Sequence, residues 1–327
     1  MTFCSQPFKK VEIYENGDVY TCCPVFTNHY LIGNIYKDSF GNIWNGEKVT
    51  FFRQKMLDRD FSLCSDLCPN KTNTFDTDEN CEKVMKSFPI DISVSSDDGC
   101  NVKCRICRDE FKCSKKVLFP LEIKKEINNI WIPIFKDAQI VRFGCSGESL
   151  SSQKERELIK AVAKKYPQIK FQIHTNGVLG NKRVLENLNI YNRISILTVS
   201  LHSATRETYN KIVLGGNYDK VQENLELYAK MKKEGLIDTL RLIFVVYSEN
   251  YHEMPLFVEL AKKHGAIAQF WAFRKNNTEI GQNPQKYNIL DRNHPQFKDF
   301  VKVLQNSCFD EPFVTLYPEI KEARLEK

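Results

Sequence analysis

Six short β-branched or apolar runs, each followed by a longer amphipathic stretch, organise the chain from residue 91 onward. The runs are 90–95 (IDISVS), 139–144 (QIVRFG), 169–174 (IKFQIH), 194–201 (ISILTVSL), 239–247 (TLRLIFVVY) and 267–273 (IAQFWAF). Helical periodicity follows near 120–131, 151–165, 181–189, 217–234, 252–263 and 295–306. Such alternation predicts an α/β fold built on a parallel sheet, and near-continuous apolar strands fit a sheet covered on both faces. Ligands gather at the carboxyl ends of strands in these sheets, so the residues just after each run are where chemistry is expected.

Residues 1–88 have a different character. They hold six of the 12 cysteines, a hairpin signal (VEIYENGDVY, turning at Asn16-Gly17) and little room for a core of their own. We read an annex at 1–88 held by a metal or cluster, a catalytic α/β domain at 89–308, and a tail at 309–327 without a clear pattern. The opening MTFCSQPFKK lacks the apolar core of a secretory signal, and no stretch has the length of a membrane span. A cytoplasmic location is therefore expected. Thiols stay reduced there, so 12 cysteines argue for metal or cluster ligation over disulfides. The net charge of +6 is diluted over helix faces where lysine pairs alternate with acids, which disfavours a nucleic-acid partner.

The sharpest motif is DDGCNVKCRIC at 97–107, where Cys100, Cys104 and Cys107 fall directly after the first strand run. Three thiolates in one compact loop can each take one iron of a 4Fe-4S cube and leave the fourth iron open. Structural zinc instead wants a closed set of four, and Cys113 lies beyond the usual knuckle spacing.

With these cysteines the chain resembles the radical S-adenosylmethionine (radical SAM) superfamily, and the likeness runs over roughly residues 90–275. Ile106 occupies the apolar position before the last cysteine. RFGCSGESL (142–150) resembles the family's glycine-glutamate segment, which implies Ser146, Gly147 and Glu148 beside the methionyl amine. HTNGVL (174–179) resembles the ribose and carboxylate segment, implying cofactor contacts for Thr175 and Asn176. VSLHSATRETYNKI (199–212) resembles the fourth-strand segment, with Ser200 facing the cofactor. The implied fold is a partial (β/α)6 barrel. The implied chemistry is reductive cleavage of the sulfonium to a 5'-deoxyadenosyl radical that takes hydrogen from a substrate carbon.

Plainer readings stand beside these. Glu148 also fits an acid at a helix N-terminus, and Thr175-Asn176-Gly177 fits a strand-to-helix turn. His202 stands where peptide-modifying relatives often carry an acid; it is a candidate catalytic residue, with a structural or cofactor-contacting role as the alternative. Cys145 reads as a small buried residue, and Cys113 and Cys308 have no assigned role.

The annex resembles SPASM or the shorter twitch auxiliary-cluster domains: Cys4, twelve residues, Gly17, four residues, then Cys22. LIGNIYKDSFGNIWNG (32–46) and FRQKMLDRDFSLCSDLC (52–68) resemble the rest of that module, here placed before the barrel instead of after it. The resemblance implies one auxiliary 4Fe-4S cluster on Cys4, Cys22, Cys64 and Cys68, with Cys23 or Cys81 as alternates. A zinc-stapled hairpin is the competing reading. The expected activity is oxidation or crosslinking of a peptide or protein. Dehydrogenation or epimerisation of a sugar or other small molecule is the alternative, and RNA methylation and a non-catalytic iron–sulfur scaffold are minor ones. A reductase with flavodoxin, or a ferredoxin, is the expected electron donor.

Overall fold

The computed structural model describes residues 3–66, 68, 81–108, 110–114, 119–274 and 278–326. Its strands, in chain order, are β1 (Lys10–Ile13), β2 (Asp18–Tyr20), β3 (Gly33–Asn34), β4 (Asp91–Val94), β5 (Lys103–Cys104), β6 (Ile140–Phe143), β7 (Lys170–Thr175), β8 (Ile194–Ser200), β9 (Val213–Leu214), β10 (Ile237–Val246), β11 (Ile267–Ala272) and β12 (Val314–Leu316). The chain divides into two compact units, Met1–Asp98 with Lys115–Phe171, and Gly99–Ser114 with Gln172–Lys327. Among the described residues no helix is long and apolar enough to cross a membrane.

In the first unit the strand order is β6-β4-β1-β2-β3. The annex strand β1 pairs in parallel with β4, Lys10 opposite Asp91 and Ile13 opposite Val94, and β4 pairs in parallel with β6. Val11, Ile13, Ile92, Val94, Val141 and Phe143 are all buried, so annex and barrel strands share one apolar core. The hairpin turns at Asn16-Gly17 as expected: Tyr14 N–H donates to Asp18 O at 3.0 Å, and Gly17 has φ +84°. A Cβ at Gly17 would lie 2.4 Å from the Tyr36 ring, so only glycine fits.

The long β1-to-β4 connection is anchored by the helix Glu47–Leu57, which buries Phe52, Arg53 and Met56. Arg53 is fully buried; its Nε donates to Pro7 O at 3.0 Å and its Nη1 to Asn45 Oδ1 at 3.2 Å and Lys83 O at 3.3 Å. Its guanidinium also lies 4.1 Å from the Trp44 ring centroid. One cation thereby ties the start, middle and end of the annex together.

The helical pattern at 120–131 is realised as an α-helix only over Pro120–Glu126. It widens into a π turn at Ile127–Trp131 and tightens into a 3-10 turn at Ile132–Phe135, where Pro133 has no N–H to continue the ladder.

In the second unit the order is β12-β11-β10-β8-β7. The pairs β8–β10, β10–β11 and β11–β12 are parallel, with Ser200 opposite Ile243 and Phe244 opposite Phe270. The helices Tyr218–Lys233 and Met254–Lys263 supply crossovers, each burying an apolar stripe. The tail is not patternless. It adds β12 and the helix Pro318–Arg324, whose Ile320 and Ala323 are buried. A three-residue strand is too short for periodicity to reveal.

Candidate active site and metal centre

The cysteine loop belongs to the second unit, and local pairing shapes it. Cys100 N–H donates to Lys112 O at 2.8 Å, and a parallel bridge sets Cys113 beside Cys100. Cys104 lies on β5, antiparallel to β9 and opposite Val213, while Arg105 N–H donates to Ile212 O at 2.9 Å. Cys107 N–H donates back to Cys104 O at 3.2 Å, and Ile106 is buried between the two thiols in sequence. Arg105 and Glu249 form an ion pair at 2.7 Å that pins the loop's outer side. Cys107 is exposed and Cys100 and Cys104 are half-buried.

Two further segments approach this loop. Asn176 Nδ2 donates to Asn101 Oδ1 at 2.8 Å and stands 3.7 Å from Cys100 Sγ, while its Oδ1 accepts from Val178 N–H at 3.0 Å. Thr175 is buried and its Oγ1 accepts from Gly177 N–H at 3.1 Å. The turn reading and the site reading of these residues are therefore compatible, since one asparagine closes the turn and reaches the cysteine loop. Second, the Tyr209 side chain is fully buried and its hydroxyl has no hydrogen-bond partner among the described residues; burial raises its pKa, and Cys104 and Cys100 add to the rise.

Ser200, at the end of β8, shares a 2.6 Å hydrogen bond with His174 Nε2. Burial drops the His174 pKa to about 4 and that of His202 to about 3, the latter helped by its proximity to His174. His202 Nδ1 accepts from Val245 N–H at 3.2 Å, which puts the ring proton on Nε2. With φ +62° and its carbonyl held by Asn250 at 3.0 Å, His202 is a fixed, neutral hydrogen-bond donor at physiological pH.

The segment 144–148 belongs to the first unit. It leaves β6 through Gly144 at φ +89°. Glu148 is buried, and its Oε1 accepts from Leu150 N–H at 3.2 Å. It is not in the first turn of the following helix, Gln153–Lys165, where the acid is Glu155 and Ser152 is the cap. The helix-end reading of Glu148 is thereby removed. Ser146 lines an open cleft of ≈ 750 Å³, with Asp98 and the annex residues Tyr14, Asp18, Tyr20 and Cys23 among its other walls. Gly147 adjoins Ser146 on the same loop. Cys145 is exposed, contrary to the buried position expected of it, yet enough protein surrounds the thiol to push it up to about 12.

In the annex, Cys4, Cys64 and Cys81 pack against one apolar cluster of Phe8, Phe52 and Met56. Cys4 and Cys22 both sense the charge of Cys68. Ser65 N–H donates to Phe26 O at 3.0 Å, joining the Cys64–Cys68 loop to the turn that follows Cys22 and Cys23. Burial pushes Cys22 up to about 12 and raises Cys4 and Cys23. Half-buried thiols whose ionisation burial disfavours, three of them on one apolar floor, suit a group that binds them as thiolates, because the metal offsets the cost of ionising them. The cysteine loop fits too: Cys100, Cys104 and Cys107 share one short loop, the donor set that leaves one iron of a cluster open.

The sequence profile of the Radical SAM superfamily matches residues 94–261, just over half the chain. The chain belongs to the radical SAM superfamily. A second profile, that of the SPASM iron–sulfur cluster-binding domain, matches residues 4–69, so this radical SAM chain carries its auxiliary module at the N-terminal side of the barrel. The two domains imply 4Fe-4S clusters and S-adenosylmethionine as cofactors.

Among curated relatives of this radical SAM chain, the probable GTP 3',8-cyclase of Methanococcus maripaludis is 28% identical over 199 residues, which is 60% of this chain and 61% of the relative. The FeMo cofactor biosynthesis protein NifB of Methanocaldococcus jannaschii is 28% identical over 154 residues, 43% of this chain and 49% of the relative. The chain spans about half to three-fifths of the length of these relatives. Among solved structures, Streptococcus suis SuiB bound to precursor peptide SuiA superposes with a TM-score of 0.50 at 14% identity, over 99% of this chain and 74% of that one, a likeness of fold.

Two features of this radical SAM chain escaped the sequence reading. Cys113 was set aside on spacing, yet a backbone bridge returns it to Cys100. Tyr209 lay inside the VSLHSATRETYNKI segment, but nothing in a linear pattern marks a hydroxyl that will be buried without a partner. Cys308 sits on the turn Ser307–Asp310, and its charged neighbours are Glu259, Arg324 and Asp310. None of these is a residue assigned to the cluster or the cofactor, so the RNA-methylation reading gains no support.

Proposed function

We propose that this radical SAM chain oxidises or crosslinks a peptide or protein substrate, using a primary 4Fe-4S cluster on Cys100, Cys104 and Cys107 and one auxiliary 4Fe-4S cluster on Cys4, Cys22, Cys64 and Cys68. Cys23 and Cys81 remain the alternates for the auxiliary set. The observation that carries this reading is the ≈ 750 Å³ cleft, whose walls combine annex residues with Asp98 and Ser146 from the ends of β4 and β6. A substrate seated there touches the auxiliary module and barrel loops at once. That volume lies within the usual range of ligand sites, and the cleft is open enough to take a side chain of a peptide. Among the described residues the lining includes Glu15, Asp18 and Asp98 and no lysine or arginine, so it favours a substrate that brings positive charge.

When bound, the clusters and S-adenosylmethionine supply cofactor cleavage, hydrogen abstraction from carbon and uptake of the electron that an oxidation releases. The protein's own residues bind and orient. Glu148 offers a buried carboxylate for the methionyl amine, assisted by Ser146 and Gly147. Thr175, Asn176 and Ser200 offer polar contacts to the ribose and carboxylate, and Ile106 an apolar one. His202, neutral with its proton on Nε2, gives a hydrogen bond and does not take up a proton near neutral pH. A flavodoxin or ferredoxin supplies the reducing electron.

Iron analysis combined with cofactor cleavage tests this assignment. Anaerobically reconstituted protein should hold about eight irons, and the Cys100, Cys104 and Cys107→Ala triple variant about four, by the ligand arithmetic of two cubanes. The triple variant should yield no 5'-deoxyadenosine with dithionite. A variant with Cys4, Cys22, Cys64 and Cys68 changed to Ala should still yield it but should not remove hydrogens from a substrate peptide, read by mass spectrometry. Cofactor cleavage by the triple variant, or zinc in the annex of the wild type, would overturn the proposal.

A further inference from the structure

We infer that the Tyr209 hydroxyl donates a hydrogen bond to a sulfur at the Cys104–Cys100 edge of the primary cluster and thereby raises its reduction potential. The inference rests on the assignment of Cys100, Cys104 and Cys107 as ligands, and it names a positioning residue to which the motif containing it, VSLHSATRETYNKI, assigned no role.

Four observations converge on it. Tyr209 is 0% exposed, and its hydroxyl has no partner among the described residues. A buried hydroxyl without an acceptor costs about 1–3 kcal/mol, so its retention calls for an acceptor that arrives later. The residue is also held in place. Its helix, Arg206–Ile212, is capped by Thr205, and the buried Glu253 carboxylate accepts from Ala204 N–H at 2.7 Å and Thr205 N–H at 3.1 Å. The Tyr209 ring packs 5.4 Å from that of Tyr218.

Gly216 makes room for the hydroxyl itself: a Cβ there would lie 2.6 Å from Tyr209 Oη and 2.9 Å from its Cε1. Finally, the same helix runs directly into β9, and β9 pairs with β5 at Val213 opposite Cys104. The point that Tyr209 Oη borders at Gly216 is also bordered by the Val213 side chain, 2.9 Å from the same hypothetical Cβ, and a phenol is protonated near neutral pH and able to donate. Soft sulfur acceptors on an iron–sulfur cluster are the partner this geometry lacks.

The direction of the effect follows from charge. Reduction adds an electron to the cluster and makes its sulfurs better acceptors, so a donated hydrogen bond favours the reduced form; hydrogen bonds to the sulfurs are among the recognised levers on cluster potential. Removing the donor should make reduction harder.

The test is a redox titration of the reconstituted full chain, following only the paramagnetic signal that changes on adding S-adenosylmethionine, since that signal reports a cluster with an open iron. Tyr209→Phe should keep iron content and the responsive signal but lower the midpoint, with a roughly tenfold smaller equilibrium constant for reduction, about 59 mV for one electron. Gly216→Ala keeps the hydroxyl but displaces it and should shift the midpoint in the same direction. Tyr218→Phe, whose hydroxyl bonds to Ala204 O at 3.1 Å, should leave it unchanged. An unchanged midpoint in Tyr209→Phe, or an equal shift in Tyr218→Phe, overturns the inference. Absence of a responsive signal in the wild type overturns the ligand assignment instead.

Discussion

Glu155→Gln should abolish a loss of stability that the wild-type protein suffers as pH rises through neutrality. Glu155 is 1% exposed; its Oε1 accepts from Ser96 N–H at 2.7 Å, while its Oε2 is buried without a hydrogen-bond partner among the described residues. Its place in the first turn of the helix Gln153–Lys165 favours the anion, but burial disfavours it far more strongly, and the nearby Asp97 charge adds to that. The hydrogen bond from Ser96 N–H offsets this only in part, and the carboxyl is pushed up from 4.5 to about 7.

A rise of that size corresponds to about 3 kcal/mol, at ~1.4 kcal/mol per unit. Between pH 4.5 and about 7 the native state holds a proton that the unfolded chain has released, so stability falls as pH rises and the full deficit is present above neutrality. Below 4.5 both states are protonated and the group contributes nothing. Glutamine is neutral throughout. Urea midpoints of wild type and variant, measured anaerobically on reconstituted protein from about pH 5 to about pH 8, should therefore diverge by about 3 kcal/mol in favour of the variant. Parallel pH profiles for the two proteins would refute the reasoning, because they would mean that Glu155 ionises as freely in the fold as outside it.

Two further outcomes are expected. Glu148→Gln should weaken S-adenosylmethionine binding by roughly tenfold to a hundredfold, the usual weight of a hydrogen bond to a charged group, with total iron unchanged; equilibrium binding of the cofactor and iron analysis check both parts. Cys113→Ser should retain the iron content and the 5'-deoxyadenosine yield of the wild type, since only Cys100, Cys104 and Cys107 are assigned to the primary cluster; loss of about four irons would make Cys113 a ligand.

Much of the fold was legible because buried parallel strands cannot hide their composition. The runs at 194–201 and 239–247 lie on β8 and β10, and the Asn16-Gly17 signal marks the turn observed between β1 and β2. The hairpin's destination was not legible. The parallel pairing of β1 with β4 joins strands separated by the whole length of the annex, and no local pattern encodes a partner that far away. The helix Arg206–Ile212 was not legible either, because seven residues make fewer than two turns and show no clear helical period. The tail strand β12 escaped because three residues, Val314–Leu316, are too few to show alternation.

The cofactor chemistry is a matter of residue identity and spacing along the chain. Cys100, Cys104 and Cys107 need only one short loop to offer three thiolates to one cluster, so their meaning survives in one dimension. Burial and partner choice are different in kind, because they depend on what other segments bring to a point in space. Only the tertiary structure takes Glu148 out of the helix end that its sequence position allowed, puts the His202 proton on Nε2 through Val245 N–H, and returns Cys113 to the side of Cys100. Only it leaves the Tyr209 hydroxyl buried and unpartnered at a place that Gly216 keeps open, since solvent exclusion belongs to the packed molecule and not to any residue's chemistry.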